Sequence, residues 1–215
     1  LGVAMMGTFD PSSGPLMPVR ASYWLNIHVT VITASYGFLG LSCLLGLLTM
    51  MLFVIHRRGN TPATVRVVGL LDALNVDVMI IGVGLLAVGT LLGGVWANES
   101  WGRYWGWDPK ETWALVSILI YSMILHFRWI PRLANPFVQA AGSFLAIWSI
   151  VMTYFGVNYL LMGMHSYAAG DRVAIPAWAI VSVALSVVVC VVAHRAWAIR
   201  RRTWVRDGAA SRSLF

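Results

Sequence analysis

Charge is scarce in this sequence. Lysine and arginine total 15 and aspartate and glutamate 8 among 215 residues, so 11% are charged while 59% are apolar. That is too little polar surface to cover a water-soluble globule of this length, and it places the chain in lipid. Cysteine is nearly absent: Cys43 and Cys190 stand alone inside apolar runs with no CxxC spacing, which excludes a zinc ribbon or a dithiol redox pair. A secretory leader is also missing from residues 1–17, which hold Asp10 and two prolines in place of a basic start and an apolar core. Insertion is therefore expected to rest on the spans themselves or on a further N-terminal part. The net charge of +7 comes from short basic clusters beside apolar runs. That is the signature of membrane orientation, so lipid is the expected contact and nucleic acid is not.

Apolar stretches of the ~20 residues needed to cross a bilayer run at Ser22–Ile55, Val78–Trp96, Thr112–Trp129, Pro136–Met162 and Ile175–Ala198. The expected fold is an all-α integral membrane protein of about five transmembrane helices. Between the first two, Thr61–Asn75 mixes apolar residues with Arg66 and Asp72 and reads as a helix lying in the interface. Arg57 and Arg58 follow the first span, Arg128 and Arg132 the third, and Arg195, Arg200, Arg201, Arg202 and Arg206 lie at or beyond the end of the fifth. With five spans these clusters share one side, which the positive-inside rule makes cytoplasmic. Residues 1–21, the loop Ala97–Glu111 and the loop Gly163–Arg172 are then external. Residues 22–206 form the transmembrane domain and residues 207–215 a cytoplasmic tail.

Tryptophan is concentrated rather than scattered. Trp96, Trp101, Trp105, Trp107 and Trp113 crowd into 18 residues with Gly102, Gly106, Arg103, Asp108 and Lys110. An interfacial aromatic belt is one reading. Glycines that admit a flat partner against the backbone favour the other, a planar aromatic ligand. Asp108 and Pro109 predict a helix start, with Asp108 as N-cap and Glu111 in the first turn. That role explains both acids more simply than proton transfer does.

Five histidines lie at different depths. His28 sits about 9 Å inside the outer start of the first span, and His165 lies in the outer loop after the fourth. Each alone is either a hydrogen-bonded interfacial histidine or a ligand. Their joint placement beside the tryptophans fits two axial ligands of one haem. His126 lies 18 residues after Asp108, about 27 Å down the third helix, where it either ligates a second haem or caps the helix. His56 and His194 precede arginines at cytoplasmic helix ends and read as structural.

The run from Val95 through Trp101, Trp105, Gly106, Trp107, Asp108 and Trp113 to Leu115 resembles the tryptophan-rich "WWD" signature of haem-handling proteins. Its continuation through Leu125-His126-Phe127-Arg128 looks like the CcsA or ResC branch of System II cytochrome c assembly. So do Tyr23-Trp24-Leu25-Asn26-Ile27-His28-Val29, Gly156-Val157-Asn158-Tyr159 and Gly163-Met164-His165-Ser166-Tyr167. The matches span nearly the whole chain. The resemblance implies that His28 and His165 are external axial ligands of haem iron and that Trp101, Trp105, Trp107, Asp108 and Trp113 form the platform. Arg103, with Lys110 or Arg172, would meet the propionates, and His126 would serve a transmembrane haem whose second ligand comes from a partner.

The implied cargo is haem b, held non-covalently and presented at the outer face of a bacterial cytoplasmic or thylakoid-type membrane. The implied activity is a component of cytochrome c synthase (haem lyase), working with a CcsB or ResB-like membrane partner on the CxxCH motif of apocytochrome c. Each thioether arises when a peptide thiol adds across a haem vinyl, so the protein positions the reactants and needs no nucleophile of its own. Such proteins usually carry further spans before the segment matching Tyr23, so a truncated, split or shortened form is implied. A haem exporter and a b-type haem electron-transfer subunit remain the alternatives, although the latter normally holds both ligands inside the membrane on facing helices.

Overall fold

The computed structural model describes residues 22–55, 61–161, 163 and 175–199. Five helical rods long and apolar enough to cross a membrane account for nearly all of them. Helix α1 runs Tyr23–Ile55, α2 Pro62–Trp101 and α3 Pro109–His126, which ends in a 3₁₀ turn at Phe127–Trp129. The fourth rod comprises α4 (Pro136–Val151), a π turn (Met152–Gly156) and the short α5 (Val157–Leu160), and α6 (Ala177–Ile199) is the fifth. Among the described residues there is no strand.

Three of these helices begin with the same local grammar. Thr61, Asp108 and Asn135 each precede a proline, and each side chain accepts a backbone N–H from the first turn of the helix it caps. Proline disfavours helix in the residue before it and is pre-shaped for the first helical position, so the pair fixes the start sharply.

Pairings between rods set their directions. His28 lies against Gly93, Ile32 against Gly89 and Leu39 against Gly82, so α2 descends as α1 rises. A Cβ at any of these three glycines would approach the α1 side chain to 2.6–2.7 Å. Close backbone approach through small residues is how membrane helices associate where burial from water supplies little drive. Gly46 of α1 meets Ala140 and Ser143 of α4, and Gly142 meets Ile124 of α3. The rods therefore alternate, which gathers the start of α1, the α2–α3 loop and Gly163 at one end of the bundle.

Leu39, Val76, Met79, Leu86, Tyr121, Ile124, Ala146 and Ile150 form the central core. Beside it, Ser42 donates to Asn75 Oδ1 at 2.6 Å and Asn75 Nδ2 donates to Ser143 Oγ at 2.9 Å, joining α1, α2 and α4. Toward the far end, Phe53, Val65, Val68 and Trp197 pack with Phe137.

Two expectations change. Residues 61–75 do not form a separate interfacial helix: Pro62–Trp101 is one 40-residue helix, about 60 Å long at 1.5 Å per residue. Val65, Val68, Asn75, Val76 and Met79 continue a single buried face through the segment, while Arg66 lies on the exposed side. The tryptophan loop is also shorter than Ala97–Glu111, because α2 continues through Trp101 and α3 starts at Pro109, leaving residues 102–108 irregular.

Candidate functional site

The α2–α3 loop is built from the end of α2 upward. Gly102 closes that helix in the left-handed region (φ 72°), its N–H donating to the Asn98 carbonyl, a conformation that glycine adopts without a Cβ penalty. The chain then folds back along α2 until the Tyr104 carbonyl rests over Gly94, where a Cβ would lie 3.0 Å from the oxygen. The Arg103 guanidinium covers Gly106 so closely that any side chain there would overlap it, and Nη1 lies 3.4 Å from the Gly106 carbonyl.

Trp107 is the only non-glycine residue with positive φ among the described residues (57°), and it is 70% exposed. Its ring meets Trp105 edge-on at 5.7 Å, as Trp96 meets Trp101 at 4.8 Å. Asp108 is 5% exposed and caps α3, so it anchors the loop to that helix. Glu111 completes the capping box, its Oε2 accepting from Asp108 N–H at 3.2 Å and from Gly106 N–H at 2.8 Å. The Trp113 carbonyl accepts from Ser117 and Thr153, tying α3 to the fourth rod below the loop. Lys110 Nζ lies 3.4 Å from Asn158 Oδ1 on that rod.

His28 is half-buried beside this loop. Its ring covers Gly93, the neighbour of the glycine that seats Tyr104, and Nδ1 lies 2.7 Å from the Gly89 carbonyl. A carbonyl only accepts, so Nδ1 carries the proton and, in the neutral ring, Nε2 carries the lone pair. That tautomer, fixed by a backbone carbonyl, suits a metal-ligating imidazole. His28 and the loop are thus brought together through Gly93 and Gly94. The start of α1 is held at the same end by Ser22, whose hydroxyl donates to Glu99 at 2.9 Å.

His126 is placed elsewhere. It is exposed at the last turn of α3, its Nδ1 donating to the Ser122 carbonyl at 2.6 Å and its ring edge-on to Trp129 at 4.7 Å. His194 packs on Phe137 and Trp197 at the far end. His165, Arg172 and His56 lie outside the described residues. Gly163, two positions before His165, sits against Asp108 and Pro109, with space for no Cβ: one would lie 2.5 Å from Asp108 Oδ1.

Three contributors escaped the reading of the residues alone: Gly93 as the seat of His28, Gly163 as the contact of Asp108, and the reach of Glu111 back to Gly106. Glycine spacing within α2 was a usable signal for the first; the other two depend on the path of the loop.

These features define an integral membrane protein of the helical-bundle class, with a tryptophan loop and a tautomer-fixed histidine at one end. Residues 2–165 match the family model described as Cytochrome C assembly protein, and the chain belongs to that family. It is 48% identical over 171 residues to Protein NrfI of Wolinella succinogenes, covering 78% of this chain and 18% of that protein. Over 159 residues it is 42% identical to the cytochrome c biogenesis protein CcsA of Chlamydomonas reinhardtii, covering 72% and 43%. The CcsA of Mesostigma viride is 36% identical over 182 residues, covering 72% and 58%. The chain therefore spans less than two thirds of the length of these relatives.

Proposed function

We propose that this chain acts in cytochrome c biogenesis by holding haem b as cargo at the loop end of the bundle and presenting it to apocytochrome c. The observation that carries the reading is the setting of His28: its ring lies on Gly93 with Nδ1–H on the Gly89 carbonyl, adjoining the glycine that seats the tryptophan loop. A ligand imidazole needs that proton arrangement and a fixed ring plane. His165 would supply the second iron ligand, and the exposed Trp107 with Trp105, Trp101 and Trp113 would line the flat face. Arg103 meets a propionate, for which its planar fork is suited.

When bound, haem supplies the vinyl carbons to which peptide thiols add; each addition forms one C–S bond and leaves the thiol hydrogen on the neighbouring carbon. The chain's own part is to orient the macrocycle, with His28 and His165 as the residues that would hold its iron. His126 serves haem arriving from the cytoplasmic side, its second ligand coming from a CcsB or ResB-like partner. Its exposure leaves it accessible to such a neighbour. By the distribution of arginine, the tryptophan loop faces away from the cytoplasm.

The test is the reduced-minus-oxidised visible spectrum of the purified chain and of His28→Ala and His165→Ala, with and without imidazole. A bis-histidine spectrum weakened in both variants and restored by imidazole is the expected result. Unchanged haem in both variants would overturn these ligands and leave His126 as the site. Coexpression with an apocytochrome then separates a synthase component from an exporter, since only the former supports covalent attachment.

A further inference from the structure

Trp107 has an unusual backbone and an unusual pair of neighbours. It is left-handed (φ 57°) and 70% exposed, and the peptide N–H groups of the residues on either side of it point to one oxygen. That oxygen is Glu111 Oε2, at 2.8 Å from Gly106 N and 3.2 Å from Asp108 N. An ordinary capping box joins the carboxylate only to the N-cap N–H. Here the same group reaches two residues further back, so the Trp105–Gly106 and Trp107–Asp108 peptides are both pinned and Trp107 between them is held where L-residues rarely rest. Arg103 closes the turn from the other side, over Gly106.

We infer that Glu111 is a positioning residue that sets Trp107 outward as the ligand-facing aromatic of the loop, acting as a two-fold hydrogen-bond acceptor and not as a proton carrier. The inference rests on the haem reading above. What the clamp needs is an acceptor oxygen at glutamate's reach; charge is incidental. Glutamine keeps that oxygen and that reach. Aspartate keeps the charge but is one methylene too short to span from α3 to Gly106, and alanine keeps neither.

The experiment compares Glu111→Gln, Glu111→Asp and Glu111→Ala in the purified full chain at equal yields of monodisperse protein. Haem per polypeptide and the visible spectrum are one readout; hydrogen exchange of peptides covering 102–111 is the other. Glu111→Gln is expected to keep haem and amide protection. Glu111→Asp and Glu111→Ala are expected to lose about five-fold in haem retention, the factor corresponding to one helix cap of ordinary strength, with faster exchange at Gly106 and Asp108. Glutamine behaving like alanine while aspartate behaves like glutamate would show that charge matters and overturn the inference. Unchanged haem in Glu111→Ala with its amides exposed would overturn it too. Should the unaltered chain retain no haem, the haem reading fails by itself, and exchange alone decides whether Glu111 clamps the loop.

Discussion

His28 and His126 make the same local bond and live in different surroundings. Each donates Nδ1–H to a backbone carbonyl, so each neutral ring carries its lone pair on Nε2. For His28 the carbonyl belongs to Gly89, 61 residues away on another helix, and the ring is wedged onto Gly93. For His126 the carbonyl belongs to its own preceding turn, and the ring is exposed with the edge of Trp129 against it. One imidazole is oriented by tertiary structure; the other is oriented by its own helix and is exposed. Preorganisation of a ligand limits the freedom lost on binding. On the proposed reading, the loop end would hold its cargo unaided and the opposite end would complete itself with a neighbour.

The sharpest way to break this contrast is Gly93→Val. Its Cβ would lie 2.6 Å from His28 Cε1, so the imidazole must leave its seat. Loss of a ligand's orienting contact typically weakens metal affinity about 10- to 100-fold, and the spectrum of the purified variant is expected to fall to the level of His28→Ala. A Gly93→Val chain with full haem would show that the seat is irrelevant. A middle-sized effect is expected at Asn75, which joins three rods. Asn75→Leu removes two interhelical hydrogen bonds, each worth about 0.6–1.7 kcal/mol in a membrane protein. Unfolding in mixed micelles should register a loss of about 1–3 kcal/mol, with Gly106 and Asp108 exchange unchanged if the loop is independently fixed. The smallest effect belongs to Trp129→Ala. It removes an exposed edge-to-face contact worth about 0.5 kcal/mol and is expected to leave the stability of the bundle and the spectrum of the loop-end haem as they were. A large change there would deny that the two ends differ.

The five spans were legible because each is a long apolar run, and the start of α3 because the Asp108-Pro109 cap is a purely local signal; the same pairing at Thr61 and Asn135 went unread. The continuity of α2 was hidden by Arg66 and Asp72, whose presence mimics an interfacial segment; the buried positions Val65, Val68, Val76 and Met79 carry the helix through regardless. The depth of His28 followed from counting residues along α1. Its orientation did not, since nothing in the neighbourhood of His28 names Gly89 or Gly93 as the opposing residues; that requires the register of α1 on α2. Glu111 was recognised as a first-turn acid, yet its grip on Gly106 depends on the loop doubling back.

The π turn at Met152–Gly156 has a consequence for the chain length of the fourth rod. A π turn takes up one residue more than an α turn would, and Gly156 sits where a side chain would overlap the Met152 sulfur. Forcing this stretch into regular α-helix at its present length would rotate everything beyond it by about 100° in azimuth, because the wide turn absorbs a residue that an α turn cannot. Asn158 would swing away from Lys110, and Gly163 would lose its place against Asp108. The rod therefore behaves as a shaft with an aimed tip: the lower part meshes with the bundle, and the wide turn that absorbs one surplus residue keeps the tip pointed at α3.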